Sequence, residues 1–453
     1  MENPIAREGL DEHEQRAVLR SITLRLVPLL FICYIVAYID RINVGFAKDH
    51  LGGVDGPLGV DPSILGNIFG TGAGLFFIGY FLFEVPSNLA LQHFGARIWI
   101  ARIMIVWGIV SMCFIFLNGV TSFYVLRFLL GAAEAGFFPG IILYLTYWFP
   151  AKERGKTMAL FALGGVAAGV VGSPISGALL EMDGIAGIPG WKWLFVIEAI
   201  PAILLGLVVL LVLPNGPAEA RWLKPREKQW LLGTLAEEAR LAAGARRTRL
   251  RDAFTCPQVW QLAFLYFLVN VAGYGFEFWL PSIIKKFTAQ SDFVVGTINM
   301  IPYIAAGIAM VVVGRNSDRT GERTQHVGMA AFCSAIGFTA AAVLENPYLA
   351  IAALTVAFAG QKSTLGPFWA LGASALSGTA AAGGIALINS VGNLGGYFGP
   401  KLVGVVKDRT GSAVNAMFFL GGAMLLMGLV AFILSLTGRF RRGLPVPLPS
   451  DES

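Results

Sequence analysis

Asp40 and Arg41 are adjacent charges inside a run that is otherwise hydrocarbon, Val27 through Phe46, roughly four turns past its polar edge. A charge near a bilayer centre costs at least a few kcal/mol, so such residues are rare and face a water-filled path or a partner. A second apolar run, Phe123 through Pro139, carries Arg127 and Glu134. Seven residues of helix are about two turns, which sets this pair on one face roughly 10 Å apart. If the two runs face each other, Asp40, Arg41, Arg127 and Glu134 form two acids and two bases that neutralise one another out of water. Protonating either carboxylate then frees an arginine, whose planar fork suits the carboxylate of an organic anion. A static network fixing helix packing would use the same residue types, but Ser, Thr or Asn would do that at lower cost.

Further polar residues interrupt other apolar runs. Lys362 lies deep within one, where an ammonium must snorkel or meet a charge, and its depth suggests contact with a substrate or counter-ion. Tyr38 and Tyr80 offer hydroxyls to a ligand, or serve packing and interface anchoring. Glu84 is expected to pair with a loop arginine at a gate, while Glu198 and Glu277 read as structural pairs in the outer halves of their runs. Asn389 and Asn393, one turn apart, present amides to a hydroxylated ligand or to a neighbouring helix. The four histidines lie at run ends or in loops without paired spacing, and the four cysteines are isolated. With no Gly-Lys-Ser/Thr phosphate loop either, the pattern argues against an ATP-driven pump or a membrane enzyme.

These residues are positioned by an all-α membrane protein. In 453 residues, 56% are hydrophobic and 14% charged, which excludes an ordinary soluble globule. Twelve stretches are long enough to span, near 22–46, 63–90, 98–117, 121–149, 156–180, 192–213, 258–284, 293–314, 326–344, 348–376, 382–406 and 414–437. The expected layout is a segment 1–21, a six-helix bundle 22–213, a polar linker 214–257, a second bundle 258–437 and a tail 438–453. The first run exceeds signal-peptide length and reads as a retained span. About 22 Lys and Arg fall on the side of the N-terminus and about six on the other, which puts both termini and the linker in the cytoplasm and accounts for the net charge of +6 without nucleic acid. Glycine runs such as Gly164 to Gly172 supply smooth seams for halves that rock, or simply tight packing.

Gly314 to Arg323, carrying Asp318, Arg319 and Arg323, resembles the cytoplasmic gating motif of the major facilitator superfamily. The equivalent first-half loop, Leu91 to Arg97, keeps the Gly and Arg but lacks the Asp, a place that Glu84 would fill. Tyr38 to Asn43, Arg127 through Pro139 and Trp148 to Arg154 are similar to its anion:cation symporter family, and the likeness runs from about residue 22 to 437. That resemblance implies twelve helices in two pseudo-symmetric bundles of six and proton-driven import of organic acids. It implies that Asp40 and Glu134 bind protons, that Arg41 holds the substrate carboxylate, that Arg127 is coupled to Glu134, and that Tyr38, Tyr80 and Asn393 line the cavity. Sugar-acid members carry a substrate-binding Gln where this chain has Gly164-Gly165. Gly366-Pro-Phe-Trp369-Ala-Leu and Ala386 to Gly395 resemble the tartrate and phthalate branch, with Trp369 an aromatic wall, so a small or aromatic carboxylate is favoured over a long polyhydroxy acid. The proton is then the only cofactor, one chain suffices for the pathway, and the location is the bacterial inner membrane. An exporter of organic acids or drugs, and a transporter-derived sensor, are the alternatives.

Overall fold

Backbone groups in hydrocarbon must be satisfied within the segment, and the apolar runs accordingly form helices. The computed structural model describes residues 10–54, 56–244, 255–375 and 379–437; the expected tail 438–453 and parts of the N-terminal segment and linker lie outside them. In the first half, the helices are α1 (Glu12–Ile42), α2 (Val44–Leu51), α3 (Leu65–Phe94), α4 (Ala96–Met112), α5 (Gly119–Glu134), α6 (Phe137–Thr146), α7 (Ala151–Leu180) and α8 (Gly190–Val212). The amphipathic linker helix α9 (Pro225–Gly244) follows. The second half comprises α10 (Pro257–Glu277), α11 (Leu280–Thr288), α12 (Asp292–Thr320), α13 (Thr324–Val343), α14 (Pro347–Ser363), α15 (Leu365–Ala375), α16 (Thr379–Asn393), α17 (Gly395–Thr410) and α18 (Met417–Leu436).

Among the described residues, ten spans are long and apolar enough to cross a membrane. The expected tenth and eleventh spans are each divided in two, at Thr364 and Leu394, which accounts for twelve crossings. Breaks also divide the first span at Asn43, the fourth at Ala135-Gly136 and the seventh at Phe278-Trp279. Gly136 adopts φ +82°, a left-handed conformation that ends α5 and starts α6 in a new direction. Large apolar side chains on the outer surface, such as Leu211 on α8 and Ile433 on α18, are exposed where lipid would cover them.

The two halves use the same internal pairing. First packs on fifth (α1 on α7), second on fourth (α3 on α5) and third on sixth (α4 on α8); α10 on α16 and α17, α12 on α14, and α13 on α18 repeat the scheme. Two seams join the halves, α3 against α17 and α7 against α12. Both close at the end of the bundle remote from the N-terminus, here called the distal end. A Cβ on Gly66 would meet the Gly404 carbonyl at 2.7 Å, and one on Gly70 the Pro400 carbonyl at 2.4 Å, so backbones touch there. The expected use of glycine as a seam is realised on α3 and α17, and on α7, where Gly169 faces the Tyr303 ring.

Polar contacts lock the same end. The first turn of α3 has no cap in its own half; instead Gly66 N–H and Asn67 N–H donate to the Asp408 carboxylate of α17, at 2.9 and 2.6 Å. That carboxylate is an N-cap supplied across the seam. His50 Nε2 lies 2.9 Å from Asp292, which also accepts from Lys285 at 2.6 Å, and Lys48 donates to Ser282 at 2.9 Å. Replacing an N-cap by Ala costs about 1 kcal/mol, so Asp408→Ala should shift the closed-to-open ratio of the distal end by roughly fivefold. A Ser173→Cys reporter, in a background without the four native cysteines, should be labelled faster by a thiol reagent in that variant. Unchanged labelling would remove Asp408 from the latch.

Candidate functional site

Four of the five broken spans carry an ionisable residue in the last turn of their first helix. Asp40 and Arg41 precede the break at Asn43, Glu134 precedes that at Ala135, Glu277 that at Phe278, and Lys362 that at Thr364. A helix C-terminus carries partial negative charge, which suits Arg41 and Lys362 and opposes Glu134 and Glu277. The structure resolves the opposition by pairing them. Arg41 NH2 forms a buried ion pair with Glu134, and Lys362 Nζ lies 2.9 Å from Glu277. The two pairs sit on opposite halves and are tied by tyrosines. Tyr274 of the second half accepts from Arg41 NH1 at 3.1 Å. Tyr38 of the first half donates to Glu277 at 2.9 Å and accepts from Lys362 at 3.2 Å.

A cavity of about 80 Å³ lies at the Lys362–Glu277 pair, lined by Tyr34, Tyr38, Gly165, Tyr274, Glu277 and Lys362, among others. That is well below the roughly 300 Å³ at which drug-sized pockets begin. Arg41 stands behind Tyr38 and Tyr274, and its guanidinium lies 5.3 to 5.7 Å from the ring centres of Tyr38, Phe76 and Tyr80. Tyr80 is thus an aromatic wall for the arginine. Trp369 packs against Tyr266, another cavity residue, at 5.0 Å between ring centres, one layer outside the lining. Asn393 is half-buried at the α16–α17 break.

The expectations for Arg127, Glu84, Glu277 and Asp40 are corrected. Arg127 makes no ion pair with Glu134, two turns along the same face, and its charge acts on Glu134 and Asp40 only through space. Arg127 instead donates to the carbonyls of Gly72 and Ala73 at 3.3 Å, with Phe76 and Phe278 over its guanidinium. Glu84 accepts from Asn389 at 2.6 Å and Ser390 at 3.1 Å in the other half, rather than from a loop arginine, because its face of α3 turns toward α16. Asn389 is thereby committed to a bond between the halves. Glu277, read as a structural pair in the outer half of its span, belongs to the central cluster because α10 ends there at mid-depth.

Asp40 also departs from the four-member network. It accepts from Ser111 at 2.5 Å and Asn43 at 3.2 Å, and its second oxygen has no protein partner. In the gating motif, Asp318 pairs with Arg323 at 2.5 Å, Arg323 also donates to Ser317 at 3.1 Å, and Arg319 is exposed. These bonds remain within one half. Sequence reasoning missed Asn270 and Gln361, both buried cavity residues. The Asn270 amide nitrogen and the Gln361 carbonyl oxygen lack protein partners. An amide in an apolar run adjoining Lys362 was the available signal for Gln361.

Residues 30–400 match the family model described as Major Facilitator Superfamily. A protein of Agrobacterium vitis named "Putative tartrate transporter" is 48% identical over 419 residues, 92% of this chain and 91% of that one. A "Quinolone resistance transporter" of Acinetobacter baumannii is 43% identical over 419 residues, 92% of this chain and 95% of that one. Among solved structures, a D-xylose-proton symporter superposes with a TM-score of 0.72 at 16% identity, covering 90% of this chain and 97% of that one, a likeness of fold alone.

The helix that carries Glu134, α5, lies close on α3. A Cβ on Gly131 would meet the Phe76 carbonyl at 1.9 Å, and one on Gly79 the Phe128 carbonyl at 2.3 Å. Gly131→Ala should therefore push α5 away, cost about 1–3 kcal/mol as overpacking and lower the thermal midpoint of detergent-purified protein followed by tryptophan fluorescence. An unchanged midpoint would mean the crossing is looser than the contact requires.

Proposed function

The chain belongs to the major facilitator superfamily, and we propose that within it the protein imports a compact organic carboxylate together with protons by alternating access. The observation that carries this reading is the buried Arg41–Glu134 pair, set at two helix breaks beside a cavity between the halves. A substrate carboxylate and Glu134 compete for one guanidinium, so a proton on Glu134 releases the fork that the anion then occupies. Asp40, with one oxygen unpartnered, is a second seat for the proton exchanged at Glu134, and Arg127 supplies fixed positive charge near both acids. Tyr38 lines the cavity, and Tyr80 packs against Arg41 behind it.

In the proposed orientation the N-terminal side is cytoplasmic, as the Lys and Arg asymmetry indicates, and the membrane is the bacterial inner membrane. The closed distal seams then face the periplasm. Glu84 with Asn389 and Ser390, and the Asp318–Arg323 pair beside Arg319, form the cytoplasmic gate. Segments 1–21 and 438–453 and linker 214–257 lie in the cytoplasm, bundles 22–213 and 258–437 rock about the cavity, one chain suffices, and protons are the only cofactor. The relative named for tartrate and the small cavity favour a hydroxy acid, dicarboxylate or aromatic acid.

The relative named for quinolone resistance supports a second reading, proton-driven export. Proteoliposomes separate the two. Labelled tartrate should accumulate when protons are driven inward with it, and the accumulation should collapse with uncoupler; efflux against the same gradient would favour export. Glu134→Gln should lose uphill accumulation yet retain substrate exchange, and accumulation by that variant would remove Glu134 from coupling. Arg41→Lys keeps the charge but loses the fork, so affinity should fall at least about tenfold, near 1.4 kcal/mol. Unchanged affinity would refute the two-bond grip.

A further inference from the structure

The Lys362–Glu277 pair duplicates, in the second half, the arrangement of Arg41 and Glu134 in the first. Each is a cation and a carboxylate at helix breaks, buried, and bonded to a tyrosine of the opposite half. Unlike Arg41, both Lys362 and Glu277 line the cavity directly. Glu277 is heavily engaged: Tyr38 donates to both of its oxygens at 2.9 Å, Lys362 pairs with it at 2.9 Å, and Tyr303 donates at 3.4 Å. A carboxylate bound this way holds Lys362 out of use until a proton or another anion takes part.

Resting on the reading of Arg41 as an anion grip, we propose that Lys362 receives a second carboxylate of the same substrate, with Glu277 as its own proton-bearing competitor. The transported species is then a short hydroxylated dicarboxylate moving with two protons, one on Glu134 and one on Glu277. Geometry sets the length. The Arg41 guanidinium carbon and Lys362 Nζ each lie 5.7 Å from the centre of the Tyr38 ring, so they stand no further apart than twice that distance. The carboxyl carbons of a four-carbon diacid lie about 4 Å apart across three bonds of ~1.5 Å, and a charge-assisted bond of about 2.8 Å at each end completes the span. An extended diacid of six or more carbons overruns that limit. In the cavity that Lys362 lines, the Asn270 amide nitrogen and the Gln361 carbonyl oxygen, both without a protein partner, offer one donor and one acceptor, which a substrate hydroxyl satisfies together.

The exchange balances without further reactants. A proton from the side of entry passes to Glu277, breaking its ion pair; the substrate carboxylate forms the replacement pair with Lys362, and on release the proton leaves to the other side. L-tartrate and glycerate, two- and one-carboxylate hydroxy acids, serve as probes in proteoliposomes. Wild-type protein should prefer tartrate by at least tenfold, and Lys362→Met should abolish that preference by weakening tartrate alone. Lys362→Arg, which keeps the charge and guards against misfolding, should preserve the preference. Reversal-potential measurements should give two protons per tartrate in wild type and one in Glu277→Gln. Equal transport of both acids with one proton, equal weakening of both by Lys362→Met, or two protons in Glu277→Gln would overturn the second site while leaving carboxylate symport at Arg41 standing. If wild-type protein moves neither acid, both readings fall.

Discussion

Ionisable groups buried among hydrocarbon must be paired, and the centre of this protein is organised by that requirement. Removing one member of a buried ion pair costs several kcal/mol, because the survivor has no water to turn to. Arg41 with Glu134, and Lys362 with Glu277, meet it by direct contact, and two tyrosines tie the pairs across the halves. The helix breaks are what make such contacts possible. A continuous helix would commit its backbone groups and carry these side chains past one another, whereas ending at mid-depth brings the terminal residues of four spans to one level.

Around that centre the fold separates what must hold from what must part. Within each half the packing scheme is the same and the contacts are close, with Gly79 and Gly131 bringing α3 and α5 to backbone contact. Between halves the seams are smooth where they close, at Gly66, Gly70 and Gly404, and are fastened by a small number of polar bonds. Smooth surfaces lose little when they slide apart, so these bonds set the balance between closed and open.

Much of this was legible in the chain. Twelve apolar stretches, the polar linker and the charges at 40, 41, 127, 134 and 362 all follow from hydropathy and from the cost of charge in lipid. Family resemblance narrowed the class, which the match over residues 30–400 bears out. Partnership was not legible. Spacing placed Arg127 and Glu134 on one face, but a shared face two turns long leaves them without an ion pair, and only the approach of α1 shows that Glu134 pairs with Arg41. Glu277 was set aside for its apparent depth, which assumed an unbroken seventh span. Glu84 needed the register of α3 against α16 to reveal Asn389 and Ser390. In each case the missing information was a contact between distant segments.

The cap that Asp408 lends to α3 has a consequence for kinetics as well as closure. Because the carboxylate satisfies two N–H groups at the membrane edge, parting the halves transfers those groups from one oxygen ligand to water rather than leaving them bare. At this point the parting is therefore an exchange of solvation partners. Such a closure behaves as a shallow two-well device, whose occupancy is set by modest binding energies at the centre and whose cycling does not require any helix to unfold.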